Sequence, residues 1–240
     1  MRKRICLLSV FVLIGFWSCK NEKPTPKVIY EDAKAKNIET EKPDTTAIKI
    51  ADLPILMEGT KYLIHPVGDV RVYDSYRSSY GSSKVNQVSY AISNYNQYEL
   101  TGYFDNLKFQ HIDSDSVCAL TTQKVQIQTV TYLKDVADKT NKKILVYSLA
   151  DSDTNKDGVI NQNDIKSLYL SYIDGTMFTK LSENYNEVID WNVVVPLNRL
   201  YFRCIEDINK NGAFDKNDKV HYHYIDLLKD GWQAAEYSPI

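Results

Sequence analysis

"LYLSYID", Leu168 to Asp174, alternates its residue types two by two and stops at an acidic turn residue. Period-two alternation closed by a turn marks a β-strand with one face buried. The pattern recurs as "LKFQHID" (Leu107–Asp113) and "VHYHYID" (Val220–Asp226). A leucine and a hydroxyl residue follow the first two copies at one offset, as Leu120-Thr121 and Leu181-Ser182. Further apolar stretches come in a shared order, "VQIQTVTYL" and "KILVYSL" after Leu107–Asp113, "VIDWNVVV" and "RLYFRCI" after Leu168–Asp174. Each set runs into a loop of Asp and Asn before the next strand opens. The unit is strand, turn, strand, strand, acidic loop, and the copies differ in length mainly through the insertion "KDVADKTNKK". A β-rich repeat of this size predicts an all-β domain, propeller-like or a repeated β-meander, with a β-sandwich as the alternative.

The acidic loops carry the chemistry. The first is "DTNKDGVINQND", Asp153 to Asp164, and the second is "DINKNGAFDKND", Asp207 to Asp218. Polar side chains stand at loop positions 1, 3, 5, 9 and 12 of both, with a glycine at position 6. Calcium takes about six to eight oxygens around one point, and alternating side chains of a tightly coiled loop can converge on it. Position 6 must turn sharply, which glycine permits. The candidate ligands are therefore Asp153, Asn155, Asp157, the Val159 carbonyl, Asn161 and Asp164, then Asp207, Asn209, Asn211, the Ala213 carbonyl, Asp215 and Asp218. Ile160 and Phe214, at position 8, are expected beneath the loops. Asx-rich turns occur without metal, but two twelve-residue matches at equivalent places in a repeat favour calcium.

Both loops resemble EF-hand loops, and more closely the dockerin variety, which also ends in Asp where the EF-hand family has Glu. The resemblance implies two structural calcium ions; shorter Asp side chains and several amides suit the modest affinity of extracellular modules, about 10⁻⁴–10⁻³ M. The flanks are strand-like, which argues against a sensor EF-hand or a true dockerin, both of which need helices after the loop. A calcium between two strands clamps a hairpin. "NYNQYELTGYFD", Asn94 to Asp105, holds the equivalent place upstream but has Tyr98 at position 5 and Glu99 in place of glycine, and is expected to bind no calcium. The passage "SLYLSYIDGTMFTKLSENYNEVIDW" is similar to TolB-like propeller repeats, a likeness that implies a binding scaffold more than a catalyst.

The chain's first residues read as an export signal. "MRKR" is a basic n-region, "ICLLSVFVLIGFW" an apolar run short for a membrane span, and "SC" follows. A small residue before Cys at the end of such a run resembles the lipobox of bacterial lipoproteins. The resemblance implies a signal peptide over residues 1–18 and a lipid on Cys19, with an ordinary cleaved signal as the alternative. Phe16 and Trp17 depart from the family's usual residues there. Lys20 after the Cys points to the outer membrane. Residues 19–46, polar and dotted with Pro, read as a flexible tether to a domain over 47–240. The chain's 240 residues, 43% hydrophobic and 25% charged, suit one globular domain, and a net charge of -2 recommends no nucleic-acid partner.

Other constellations are weaker. Cys118 and Cys204 are left to pair or to stay as small buried residues. His221 and His223 share a strand face and, with His111, offer a minor transition-metal reading. Tyr73, Tyr76 and Tyr80 form a possible aromatic platform, and Arg203 and Glu206 read as surface ion-pair partners. No serine-hydrolase, zincin, phosphate-loop or dinucleotide motif is present. The expected function is a membrane-anchored binding or structural module of the cell envelope, with protein or glycan partners. A glycan-acting enzyme with structural calcium and a dockerin-like adaptor are the alternatives.

Overall fold

Every residue of Ile144–Ala150 (ILVYSLA) is buried, so this strand has no solvent face and must lie between two cores. Alternation sends its side chains both ways: Leu145, Tyr147 and Leu149 join one apolar cluster, Ile144 and Val146 another. The computed structural model describes residues 26–30, 47–71 and 92–240, and these contain fourteen strands and one α-helix. In chain order the elements are β1 (Ala47–Ala51), β2 (Ile55–Leu56), β3 (Tyr62–Arg71), β4 (Ser93–Asn96), β5 (Glu99–His111), β6 (Val117–Ala119) and β7 (Gln126–Tyr132). There follow α1 (Lys134–Thr140), β8 (Ile144–Ala150), β9 (Ser167–Tyr172), β10 (Thr179–Lys180) and β11 (Asn186–Val194). The last strands are β12 (Arg199–Glu206), β13 (Lys219–Asp226) and β14 (Ala235–Glu236).

The protein is all-β in class. One sheet runs β1-β3-β5-β7-β8-β9-β10, with β2 beside β3 and both β4 and β6 beside β5; the second runs β11-β12-β13-β14. The pairings are antiparallel throughout, and neither sheet closes on itself. β5 is long because it serves two neighbours on each edge, and its buried residues Leu100, Phe104, Leu107 and Phe109 change parity midway. An extra residue must be accommodated there, and the ladders to β3 and β7 both slip beside Phe104. Such bulges deepen the twist. The first sheet thereby curls around Ile64, Leu107, Ile127, Leu145 and Tyr169, drawn from five strands. Its other face, at β8 and β9, meets Val188, Leu200, Phe202 and Ile225 of the second sheet, with Trp232 sealing the layer.

The repeated segments occupy equivalent places. Leu120 N–H donates to the Leu107 carbonyl (2.9 Å) and Leu181 N–H to that of Leu168 (2.8 Å), so the leucine pair folds back on its opening strand both times. The insertion between the copies contains α1, whose Val136 and Ala137 are buried and whose end is capped by Asn141 in the left-handed conformation. Cys118 is exposed on β6, Cys204 is buried on β12, and both are free thiols, so the pair does not form a disulfide. No helix of the described residues is long and apolar enough to cross a membrane. The signal segment, Cys19 and the Tyr73, Tyr76 and Tyr80 cluster lie outside the described residues.

Candidate metal centres

The two acidic loops are hairpin connections. The first joins β8 to β9, whose last pair is Leu149 with Ser167, and the second joins β12 to β13, closing on Glu206 with Lys219. No helix follows either loop; β9 begins three residues after Asp164, and β13 begins directly after Asp218. Chain reversal inside each loop needs the left-handed region twice. Lys156 (φ 58°) and Gly158 (φ 93°) supply it in the first loop, Lys210 (φ 53°) and Gly212 (φ 83°) in the second, at positions 4 and 6 in both. Glycine enters that region without steric cost, which is its role at position 6.

The position-1 carboxylate organises each loop in the same way. Asp153 Oδ1 accepts from Asp157 N–H (3.1 Å) and its Oδ2 from Gly158 N–H (2.8 Å). Asp207 Oδ1 accepts from Asn211 N–H (3.2 Å) and its Oδ2 from Gly212 N–H (2.7 Å). At position 3, Asn155 and Asn209 each accept from the position-5 amide at 3.0 Å. At position 5, Asp157 Oδ1 takes Val159 N–H (2.9 Å) and Asn211 Oδ1 takes Ala213 N–H (2.7 Å). Backbone amides thus turn these side-chain oxygens toward the inside of the coil, as Asx residues do in turns. Positions 9 and 12 also match: Asn161 N–H donates to Asp164 Oδ2 (2.8 Å), and Asp215 N–H to Asp218 Oδ2 (2.7 Å).

The loops differ at the other oxygen of position 12. Asp164 is 1% exposed, and its Oδ1 accepts from Thr154 N–H (2.7 Å) and Asn155 N–H (3.2 Å). Burial raises its carboxyl pKa, and the amides of Asn161, Asn155 and Thr154 only partly offset that. The Oδ1 of Asp218 is buried and has no hydrogen-bond partner among the described residues. An unpaired buried carboxylate oxygen is costly and calls for a positive partner. Ile160 and Phe214 are half-buried, and Ile165 is the residue buried at the foot of the first loop.

Sequence reasoning missed the peptide that joins the loops. Residues 26–30, inside the stretch read as a flexible tether, are packed across both. Lys27 N–H donates to the Gly212 carbonyl (2.8 Å), Ile29 N–H to the Thr154 carbonyl (2.8 Å), and Thr154 Oγ1 to the Lys27 carbonyl (2.7 Å). Val28 is 2% exposed, and Lys27 forms an ion pair with Glu187 at 2.9 Å. Burial and the neighbouring Asp207 carboxylate push the Tyr30 phenol up to about 12. The available signal was "PKVIY", the apolar interruption in an otherwise polar stretch.

Asp151 was also missed. It precedes the first loop in a cleft of about 260 Å³, where Tyr169 OH (2.7 Å) and Lys180 Nζ (2.5 Å) donate to its carboxylate. Burial opposes ionisation there, yet those two donors outweigh it and hold the carboxyl below its usual range. An ionised, paired Asp is a poor proton donor. Residues Asn94–Asp105 form a hairpin in which Asn94 pairs with Thr101, and Asp105 is tied to Lys49 at 2.8 Å. His221 is held by Glu206 (2.8 Å) and Glu236 (2.9 Å), while His111 lies in the other sheet beside Tyr62. Among the described residues no three or more His, Cys, Asp or Glu side chains gather as a metal-binding cluster, so these histidines are not assembled into a transition-metal site. The three aspartates of each acidic loop, Asp153, Asp157 and Asp164, then Asp207, Asp215 and Asp218, do not gather as such a cluster either. Arg203 pairs with Asp190 across β12 and β11. No family model matches this chain, and no curated protein matches it.

Proposed function

We propose that this chain is an exported lipoprotein, anchored through Cys19 in the outer membrane, whose β domain is a binding or structural module of the cell envelope held by two calcium ions. The observation that carries the calcium reading is the duplicated loop: one φ pattern and one set of carboxylate-to-amide bonds, twice, each closing a β-hairpin. Oxygen donors alone, and the orphaned buried Oδ1 of Asp218, fit a hard cation. Asp153, Asn155, Asp157, the Val159 carbonyl, Asn161 and Asp164 would hold one ion. Asp207, Asn209, Asn211, the Ala213 carbonyl, Asp215 and Asp218 would hold the other. When bound, calcium supplies positive charge to buried carboxylates and stabilises the folded hairpin by ligand linkage.

Strands on both sides of each loop support a structural ion over a sensor, because nothing there opens as paired helices do. The same absence of following helices among the described residues weighs against a dockerin-like adaptor. The matched backbone bonds of Leu120 and Leu181 support a repeated meander as the finer architecture, in preference to a closed propeller. Anchoring follows from the lipobox-like "SC" after an apolar run. Thermal unfolding tests the calcium reading: excess calcium should raise the midpoint over that in EGTA, and Asp157→Ala should remove part of the difference. Identical midpoints in all comparisons would sink it. For the anchor, Cys19→Ser should move the protein from the membrane fraction to the soluble fraction.

A further inference from the structure

Two loops separated along the chain are joined by a peptide that belongs to neither. The Pro26–Tyr30 strap touches position 2 of the first loop, Thr154, and position 6 of the second, Gly212. Each of these residues faces two ways. Thr154 N–H donates to the candidate ligand Asp164 while its carbonyl accepts from Ile29 of the strap. Gly212 N–H donates to the candidate ligand Asp207 while its carbonyl accepts from Lys27. The peptide units that offer these two carbonyls carry their N–H groups on the next residues, and those donate to candidate ligands as well, Asn155 N–H to Asp164 Oδ1 (3.2 Å) and Ala213 N–H to Asn211 Oδ1 (2.7 Å). A peptide unit bonded at both ends polarises, so each end strengthens the other.

The fit is close. A Cβ on Gly212 would stand 2.4 Å from the Val28 carbonyl oxygen and 2.7 Å from Pro26 Cβ, so the strap requires glycine there for space as well as for its φ of +83°. Lys210, at position 4 of the second loop, places its ammonium 5.8 Å from the Tyr30 ring centroid, and Tyr185 flanks that ring at 5.9 Å. Lys27 bonds to Glu187 Oε1, whose other oxygen accepts from Lys166 N–H (2.8 Å), two residues past the first loop. The strap therefore reads the shape of both loops through backbone and side chain together.

We infer that Pro26–Tyr30 is a calcium-coupled latch: the strap docks across the two loops when they hold calcium, and docking in turn tightens both sites. The inference rests on the calcium reading above. Loss of metal leaves the loop carboxylates to repel one another, the coils relax, and the Thr154 and Gly212 carbonyls lose their alignment. Thermodynamic linkage makes the effect reciprocal and couples one site to the other. With the lipid on Cys19, the latch also sets stand-off. Seven residues from Cys19 to Pro26 reach at most about 25 Å when extended, whereas an undocked chain from Cys19 to Ala47 reaches about 95 Å.

The test is calorimetric titration of the full chain in detergent with calcium chloride, for wild type, Val28→Asp and Ile29→Pro. The first variant places a charge in the buried strap position, and the second deletes the amide that bonds to Thr154. Both residues lie outside the two apolar cores, so the domain stays folded, which near-ultraviolet circular dichroism verifies. Calcium affinity should fall about tenfold in each variant, a coupling of ordinary size. Hydrogen exchange of the strap amides in the wild type should be slow in calcium and fast in EGTA. Unchanged affinity in both variants, or strap exchange indifferent to calcium in a wild type that binds it, overturns the latch and leaves the calcium sites standing. A wild type that takes up no calcium overturns both.

Discussion

Asp164 and Asp218 hold the same loop position in different hydrogen-bond surroundings, and replacing each with Asn separates metal binding from loop packing. Asp164 accepts from three backbone N–H groups, two on Oδ1 and one on Oδ2. An amide has one acceptor atom, so in Asp164→Asn the NH₂ group must face at least one buried N–H. That leaves a donor unpaired, about 1–3 kcal/mol, and turns charge-assisted bonds into neutral ones, for a combined loss of about 2–4 kcal/mol without any metal. At about 2–4 °C per kcal/mol for a domain of this size, the midpoint in EGTA should drop by roughly 5–15 °C. Asp218 has one bond, from Asp215 N–H to Oδ2, and an Oδ1 with no partner. Asn keeps the bond but sets its NH₂ where Oδ1 had no partner, so one unpaired polar atom replaces another and Asp218→Asn should change stability in EGTA by less than about 0.5 kcal/mol. Calcium at about 100 times its dissociation constant adds about 2.7 kcal/mol per site, which either variant forfeits at its own loop. Differential scanning calorimetry in EGTA and in excess calcium yields all four comparisons. Asp218→Asn costing the same in both conditions would refute the view that this oxygen awaits a cation, and Asp164→Asn being neutral in EGTA would refute the bond count.

The remaining expectations concern other parts of the molecule. A Cβ at Gly102 would meet the Phe104 ring at 2.5 Å and the Ile92 carbonyl at 2.7 Å, so Gly102→Ala should cost about 1–3 kcal/mol in urea unfolding. Burial of the His221 ring works against its protonation, but its hydrogen bonds to Glu236 and Glu206 outweigh that and raise its pKa above 6.5. Its contribution to stability is therefore complete below the unfolded value near 6.5 and is lost as the pH rises through the higher folded value. The unfolding midpoint should fall as the pH rises above about 6.5, and His221→Gln should flatten that slope. Burial, with the charges of Glu183 and Glu187, pushes the Cys204 thiol up to about 12, so a chain keeping only Cys204 should resist maleimide until denatured. A chain keeping only the exposed Cys118 should label at once.

The strand plan was legible because the first sheet and the second each bury a face, and period-two alternation records that burial locally. Leu107–Asp113, Leu168–Asp174 and Val220–Asp226 all open or extend strands for this reason. The loops were legible because their hydrogen bonds run between residues two to ten apart, so the twelve residues contain nearly all the information that shapes them. Helix α1 was not, since seven residues hold too little period to distinguish from a polar insertion, and its stability comes from Val136 and Ala137 entering the cores. The curl of the first sheet was hidden in the parity change between Phe104 and Leu107, which a strand pattern alone renders as noise.

What lies within a few residues was thus set by the chain itself: which segments are strands, where the hairpins turn, and which amides the side chains of Asp153–Asp164 and Asp207–Asp218 accept from. Tertiary structure alone decided which of these meet. It put β8 between two cores and laid Pro26–Tyr30 over Thr154 and Gly212. The physical reason is the range of the contacts. Asx turns and alternation act between near neighbours, whereas the strap's partners are backbone carbonyls well over a hundred residues away, and a carbonyl is common to every residue type.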